Sequence, residues 1–175
     1  EKVLDLPFDN IKIIFTKCRG QVQQRLEAFK QAKYDFVLQL DDDVEIDKYA
    51  IKIMGGMLSD LGPGNVIGPS FYDPYTLKSL HNFDVGFIGF LKSLNAFIFS
   101  AASWGVNRQG KISHIGIGFG VDPKQTGREL HQVDWLPGGC VLNYKQDLIM
   151  ENYFPLPGKA FAEDIIHSLL RSSKN

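Results

Sequence analysis

Phe36-Val37-Leu38-Gln39-Leu40-Asp41-Asp42-Asp43 joins a short apolar run to three consecutive aspartates. Its first five residues have the apolar pattern of a short buried strand, and three aspartates follow without a spacer. Adjacent carboxylates repel one another, and a hard divalent cation would relieve that repulsion. Because alternate residues of a strand face the same way, Asp41 and Asp43 are expected to point into one cleft and Asp42 away from it. The alternative is a solvated acidic turn that precedes a helix.

The residues before this stretch predict a strand–helix–strand unit. Residues 11–16 are mostly β-branched and aromatic, which is typical of a buried strand, and residues 21–33 have a helical apolar stripe. Such units normally give parallel neighbours in an open sheet, whose ligands bind beyond the carboxyl ends of the strands. The three aspartates would lie at such an end.

The remaining chain predicts further helices and strands of the same fold class. We expect helices over residues 47–61 and 163–173, short strands over 66–69 and from 140 to 142, and a surface loop over 122–130. The length of 175 residues suits a single domain spanning 1–175.

Composition excludes some classes of function. The formal net charge is -1, with 19 basic and 20 acidic residues, so the sequence has no electrostatic footprint for a nucleic acid partner. Two cysteines without CxxC spacing cannot build a disulfide framework or a zinc site by themselves. A reducing, cytoplasmic location is the expectation.

Residues 85–106 form a strongly apolar segment that is about long enough to span a bilayer. Lys92 and Asn95 fall near its middle, where a charge is costly, and several glycines weaken its helical character. We therefore expect a buried or interfacial segment, with peripheral membrane association, in preference to a transmembrane helix.

A second group of chemical interest is Glu163-Asp164 at the start of the last predicted helix. At about 100° per residue, Asp164, His167, Ser168 and Arg171 share one face, opposite an apolar face. Asp164 is thus expected to project away from the core. The alternative is that both acids only complement the helix dipole.

The third group is Trp135-Leu136-Pro137-Gly138-Gly139. Two glycines after a proline let the backbone approach a ligand closely, and an aromatic ring beside them can stack on a sugar. A plain turn with a core tryptophan is the alternative.

Three other site types lack their motifs. An EF-hand loop would need glycine where Ile46 stands, no GxxxxGK[ST] loop accompanies the acidic strand end, and no GxSxG elbow is present.

The order of these groups resembles glycosyltransferase family 2. Gly20-Gln21-Val22-Gln23-Gln24-Arg25 precedes Leu40-Asp41-Asp42-Asp43, then comes Trp135-Leu136-Pro137-Gly138-Gly139, and last Glu163-Asp164. Residues 11–44 and 133–171 carry the resemblance. Leu26 departs from it, since asparagine is common there, and so does Leu170, where the family often has arginine before Arg171.

The resemblance implies an α/β GT-A fold, a Rossmann-like mixed sheet flanked by helices. The family's N-terminal strands, which bind the nucleotide base, are expected to be missing from this chain. It implies an inverting transfer of sugar from a nucleotide-sugar donor to an acceptor hydroxyl of a sugar, polysaccharide or lipid-linked molecule, as in cell-envelope polysaccharide synthesis.

The resemblance also implies roles for named residues. Asp43 and Asp41 would hold Mn²⁺ or Mg²⁺ on the diphosphate, and Asp41 would also contact the donor together with Arg25, Gly138 and Gly139. Trp135 and Glu163 would bind the acceptor, and Asp164 would be the general base. Two alternatives stay open: a sugar nucleotidyltransferase, and a non-catalytic transferase-like module that binds a partner or a membrane surface.

Overall fold

The structure is a computed structural model that describes residues 11–81, 86–100, 108–126, 129–158 and 160–173. Its helices are α1 (Gln21–Phe29), α2 (Ala50–Leu61), α3 (Gly86–Ser100), α4 (Pro123–Thr126) and α5 (Glu163–Ser172). Its strands are β1 (Phe36–Leu40), β2 (Val66–Ile67) and β3 (Cys140–Tyr144). The chain is therefore a mixed α/β protein, as predicted, and a short helix interrupts the loop predicted at 122–130.

The strands form one three-stranded sheet in the order β1-β3-β2, with both pairings antiparallel. The expectation of parallel neighbours is therefore wrong for these strands. Residues 11–16 form no strand, and the Phe15 side chain is 85% exposed. An apolar run becomes a strand only where a neighbour satisfies its backbone groups. In the described residues, the partner of β1 is β3, and residues 11–16 pair with no strand.

The core lies where α2 packs on the sheet. Met54 and Leu58 are one helical turn apart and form a buried cluster with Ile67, Cys140 and Leu142. All four residues at 140–143 are buried because β3 is the central strand. This packing fixes the central strand, and with it the turn that leads into β3.

Helix α3 buries its smallest side chains and exposes its largest ones. Gly89 and Ser93 are buried, and the Ser93 hydroxyl accepts a hydrogen bond of 3.1 Å from Nη1 of the buried Arg108. The exposed apolar side chains, each 46–76% accessible, are Phe87, Ile88, Phe90, Leu91, Phe97, Ile98 and Phe99. Residues 85 and 101–106 of the predicted apolar segment lie outside the described residues.

Among the described helices, none combines the length and the apolar composition that crossing a membrane would require. Helix α3 itself has 15 residues.

Candidate functional site

The acidic run begins where β1 ends. Strand β1 stops at Leu40, and the Asp41 N–H continues the ladder for one step by donating to the Gly139 carbonyl at 2.9 Å. Asp41, Asp42 and Asp43 line one cleft of about 740 Å³, which Arg19 also lines. The alternation of a strand does not extend beyond Leu40, because Asp42 and Asp43 lie in a turn. The expected orientations of the three aspartate side chains therefore stay a prediction.

The Pro137-Gly138-Gly139 turn lies against the end of β1. The Gly138 carbonyl accepts a hydrogen bond from the Gln39 side chain, and the Gly139 carbonyl accepts the one from Asp41. A Cβ on Gly138 would lie 3.4 Å from Nε2 of Gln39 and 3.5 Å from Oε1 of Glu163. A methyl group would touch both, so a larger side chain would have to displace them. Close approach of this backbone to a ligand stays a prediction.

Glu163 is the first residue of α5 and is only 5% exposed. Its Oε1 forms an ion pair and hydrogen bond with Nη1 of Arg25, and its Oε2 accepts a hydrogen bond of 2.7 Å from the Tyr153 hydroxyl. Both oxygens of this buried carboxylate are therefore held by protein side chains. Glu163 lies at the wall of a second cavity, of about 940 Å³.

Arg25 joins the two regions. Its Nη2 lies 3.6 Å from Oδ1 of Asp41, which lines the acidic cleft, while its Nη1 binds Glu163 in the larger cavity. Its side chain is 16% exposed. The predicted donor-binding arginine is thus placed beside the predicted donor-binding Asp41.

Asp164 lines the larger cavity, together with Trp135, Gly138 and His167. Burial raises the pKa of the Asp164 carboxyl above its usual value, and the charge of Glu163 adds to that rise. Hydrogen bonds from the Ile165 and Gly138 backbones act in the opposite direction. The Ile165 N–H donates to Oδ1 at 2.9 Å. A carboxylate with a raised pKa, held at the edge of a cavity, is suited to accept a proton.

Trp135 is half-buried, and it contributes to packing as well as to the cavity. Its Nε1 donates a hydrogen bond of 3.0 Å to the Phe119 carbonyl, and its ring meets His81 edge-on at a centroid distance of 6.5 Å. A Cβ on Gly118 would overlap the indole ring. Trp135 therefore has the packing of a core tryptophan and also lies where a ligand in the cavity could meet it.

Arg171 has a structural environment. The side chain is 7% exposed, and it donates to Oδ1 of Asn143 at 2.8 Å and to the Asn65 carbonyl at 2.9 Å. Its guanidinium also lies 3.6 Å from the Asp147 carboxylate. These contacts attach α5 to β3 and to the loop before β2.

One residue of the site, Tyr153, has no sequence signal. Tyr153 stands in a loop between β3 and α5, with no motif around it. His167 was placed on the face of Asp164, and the structure adds that its ring lies 5.7 Å from the ring of Tyr153 and that burial lowers its pKa. Only the long-range fold reveals the contact of Tyr153 with Glu163.

The acidic cleft fits a divalent cation if a bound diphosphate supplies the remaining ligands. The described residues contain no group of three or more ligand side chains that could hold a metal by itself. Asp41 and Asp43 nevertheless offer hard carboxylate oxygens on one accessible cleft, and the Asp41 side chain is 40% exposed. Mg²⁺ is usually held by one or two carboxylates together with substrate phosphates and water. Asp41 and Asp43 therefore fit a cation that takes its other ligands from a diphosphate.

Comparison with known proteins gives one match. The family described as Glycosyl transferase family 2 matches residues 1–101, which include Arg25 and the three aspartates. The match extends over residues 65–101, where the motifs gave no resemblance, and stops before Trp135, Gly138 and Asp164. No curated protein and no solved structure matches this chain. Because more than half of the sequence is matched, the chain belongs to glycosyl transferase family 2.

Proposed function

We propose that this chain is an inverting glycosyltransferase that moves a sugar from a nucleotide-sugar donor to an acceptor hydroxyl with the help of Mn²⁺ or Mg²⁺. Family membership supports glycosyltransferase activity in general. One observation supports the finer proposal: the Gly139 carbonyl accepts a hydrogen bond from the Asp41 N–H at the acidic cleft, while the adjacent Gly138 lines the same cavity as Asp164. The acidic cleft and the proposed base Asp164, which are far apart in sequence, therefore both lie next to the Gly138-Gly139 turn.

The donor end of the proposed site is the acidic cleft. Asp43 and Asp41 would hold the cation, which when bound supplies charge neutralisation for the departing diphosphate. Arg25 lies beside the Asp41 carboxylate, with its Nη2 3.6 Å from Oδ1. Gly138 and Gly139 keep the backbone close to this end, so a donor can lie against the turn.

The acceptor end is the cavity that Asp164 lines. In an inverting displacement the base must reach the acceptor oxygen on the side opposite the leaving group. Asp164 would take the proton of the acceptor hydroxyl, and its raised pKa increases its affinity for that proton. Trp135 would stack on the acceptor sugar. Glu163 lines the same cavity, but Arg25 and Tyr153 hold both of its carboxylate oxygens, so we do not assign it direct acceptor binding.

A ligand screen on the full-length protein tests the function. We expect UDP-, GDP- or dTDP-sugars to raise the melting temperature with Mn²⁺ present and to have a much smaller effect without it. Incubation of the best donor with sugar and lipid-linked acceptors should release a nucleoside diphosphate. Pyrophosphate release from a nucleoside triphosphate would instead identify a nucleotidyltransferase, and no binding of any nucleotide would favour a non-catalytic module.

We also propose that α3 lies on a membrane surface at the cytoplasmic side, close to a lipid-linked acceptor. The helix buries Gly89 and Ser93 and turns its phenylalanines outward, the reverse of a helix that packs into a core. Its 15 residues rise about 22 Å, less than the roughly 30 Å hydrocarbon thickness, which favours an orientation along the interface. Lys92 is an exposed cation on this helix and would meet anionic lipid headgroups.

Vesicle flotation tests this surface. We expect the full-length protein to float with vesicles that contain phosphatidylglycerol, and Phe87→Ser with Phe90→Ser to reduce the bound fraction severalfold because apolar contact area is lost. Tyr75→Ser is the matched control, since Tyr75 is 94% exposed and lies outside α3. Equal flotation of the double variant and the control would contradict the proposal.

A further inference from the structure

The first residue of α5 is a buried carboxylate with a complete set of partners. Burying an ionised carboxylate is costly unless it is paired and hydrogen-bonded. Glu163 meets both conditions, through Arg25 of α1 on Oε1 and Tyr153 on Oε2. Arg25 and Tyr153 come from opposite ends of the chain, so α5 is held at its start by two separate parts of the fold.

The backbone at this point is strained. Ala162, immediately before α5, has φ 57° and ψ 20°, the left-handed region that residues with a Cβ rarely adopt. No side chain caps the helix. A strained residue persists only where the surroundings over-determine it, and such residues cluster at functional sites. The bonds from Arg25 and Tyr153 to Glu163 are side-chain contacts from other parts of the chain that hold this helix start in place.

Because Glu163 and Asp164 are adjacent on α5, fixing the first side chain fixes the direction of the second. Successive helical residues are rotated by about 100°, so the orientation of the first turn decides which wall of the cavity Asp164 faces. Asp164 lies at Gly138, and Gly138 in turn lies within a methyl contact of Glu163 and Arg25. The three groups therefore form one packed unit around the proposed base.

We propose that Tyr153 and Arg25 are positioning residues that hold Glu163 and thereby aim Asp164 into the cavity. This inference rests on the proposed function, because it assigns Asp164 the role of base. It differs from the acceptor-binding role of Glu163: a positioning role acts on kcat, whereas an acceptor ligand acts mainly on the KM of the acceptor.

Tyr153→Phe is the decisive variant because it removes one hydroxyl and keeps the ring beside His167. We expect kcat to fall roughly tenfold to a hundredfold, with little change in the KM of donor and acceptor, since small misplacements of a catalytic group have effects of this size. Tyr144→Phe is the matched control: its hydroxyl donates to the Leu58 carbonyl at 3.4 Å, away from the cavity. That control should keep the wild-type kcat.

A second measurement does not require turnover. In protein labelled with ¹³C-aspartate, the carboxyl resonance of Asp164 should move in Tyr153→Phe and stay in place in Tyr144→Phe. In Glu163→Gln its pKa should fall, because the neighbouring negative charge that raises it is gone. The other ionisable groups that the structure describes around this unit are Arg25, Asp41, Tyr153, His167 and Arg171, and all five are kept in Glu163→Gln.

The outcomes separate the two proposals. If the wild-type protein transfers no sugar, the proposed function fails, and the resonance of Asp164 still decides whether Tyr153 positions it. An unchanged Asp164 resonance in Tyr153→Phe, or a kcat equal to that of Tyr144→Phe, would overturn the positioning role. A rise in acceptor KM at constant kcat in Glu163→Gln would also overturn it and favour acceptor binding by Glu163.

Discussion

Asp164→Asn is expected to lower kcat for sugar transfer by about 10²–10⁴-fold, the usual contribution of a general base. The amide keeps the shape of the side chain but cannot take the acceptor proton. Donor binding should change little, because the acidic cleft is separate from the cavity that Asp164 lines. Single-turnover rates and the Kd of the donor with Mn²⁺ measure the two effects. The control is Asp60→Asn, which changes an exposed carboxylate on α2.

The rate of sugar transfer by the wild type should depend on pH through the protonation of Asp164. Since burial raises the pKa of Asp164 above 3.8, transfer should be lost as pH falls through that raised value, and the acid limb of the kcat profile should disappear in Asp164→Asn.

At neutral pH the folded protein holds an ionised carboxylate at Asp164 that burial disfavours. Asp164→Asn should therefore increase the free energy of unfolding at pH 7, and the increase should shrink as pH falls and the carboxylate protonates. Undiminished transfer in Asp164→Asn would remove it from the role of base.

Asp43→Ala is expected to remove most metal-dependent turnover, a loss of about 10²–10³-fold in kcat/KM if the cation contributes several kcal/mol. Asp43 is exposed and lines the cleft, so its loss should have little effect on folding. Titration of a nucleoside diphosphate with and without Mn²⁺ should show that the variant loses the gain in affinity that the metal provides. Chelation by EDTA should reduce the wild type to a similar rate.

The matched control for Asp43→Ala is Asp60→Ala, a loss of charge outside both cavities. If Asp43→Ala kept the metal dependence of the wild type, the cation would have to be held elsewhere. The acidic run would then be a solvated turn, the alternative that its sequence left open.

Local sequence signals predicted the elements well where one short segment contained the whole pattern. Strand β1 and helix α5 formed close to their predicted bounds, since apolar runs depend on neighbours along the chain. The expectation that the Asp164 face of α5 projects away from the core is wrong, because Arg171 on that face is 7% exposed and Leu169 on the opposite face is 49% exposed. Helix α1 ended at Phe29 and not at 33, because Gln31 and Ala32 close tighter turns onto Ala28 and Phe29.

Pairing was much harder to predict than the elements themselves. A run of β-branched residues at 11–16 suggested a parallel neighbour for β1, but periodicity does not identify a partner. Strand β3 takes that place, because its central, apolar residues pack on both β1 and β2. The order of the motifs also predicted the family, and the match at residues 1–101 confirms that prediction.

The candidate site was predictable as residue types and not as contacts. The acidic residues and the glycines could be selected from the sequence because a strand end and a Gly-Gly turn are each recognisable within a few residues. The ion pair of Arg25 with Glu163 and the hydrogen bond from Tyr153 join segments distant in sequence, and no local pattern encodes them. The roles of Asp41, Asp43, Arg25, Gly138, Gly139, Trp135, Glu163 and Asp164 stay predictions for the experiments above.

The antiparallel pairing of β1 with β3 sets the distance between the two parts of the site. Leu40 stands opposite Cys140, so the acidic run and the Gly138-Gly139 turn are consecutive steps beyond the same end of one ladder. A slip of one residue would flip every side chain of β1 to the other face. Backbone hydrogen bonds thus set the spacing between the cleft and the turn. In a hydrogen-exchange experiment, the amide protons of Asp41 and of β3 should exchange at the rate at which the sheet opens.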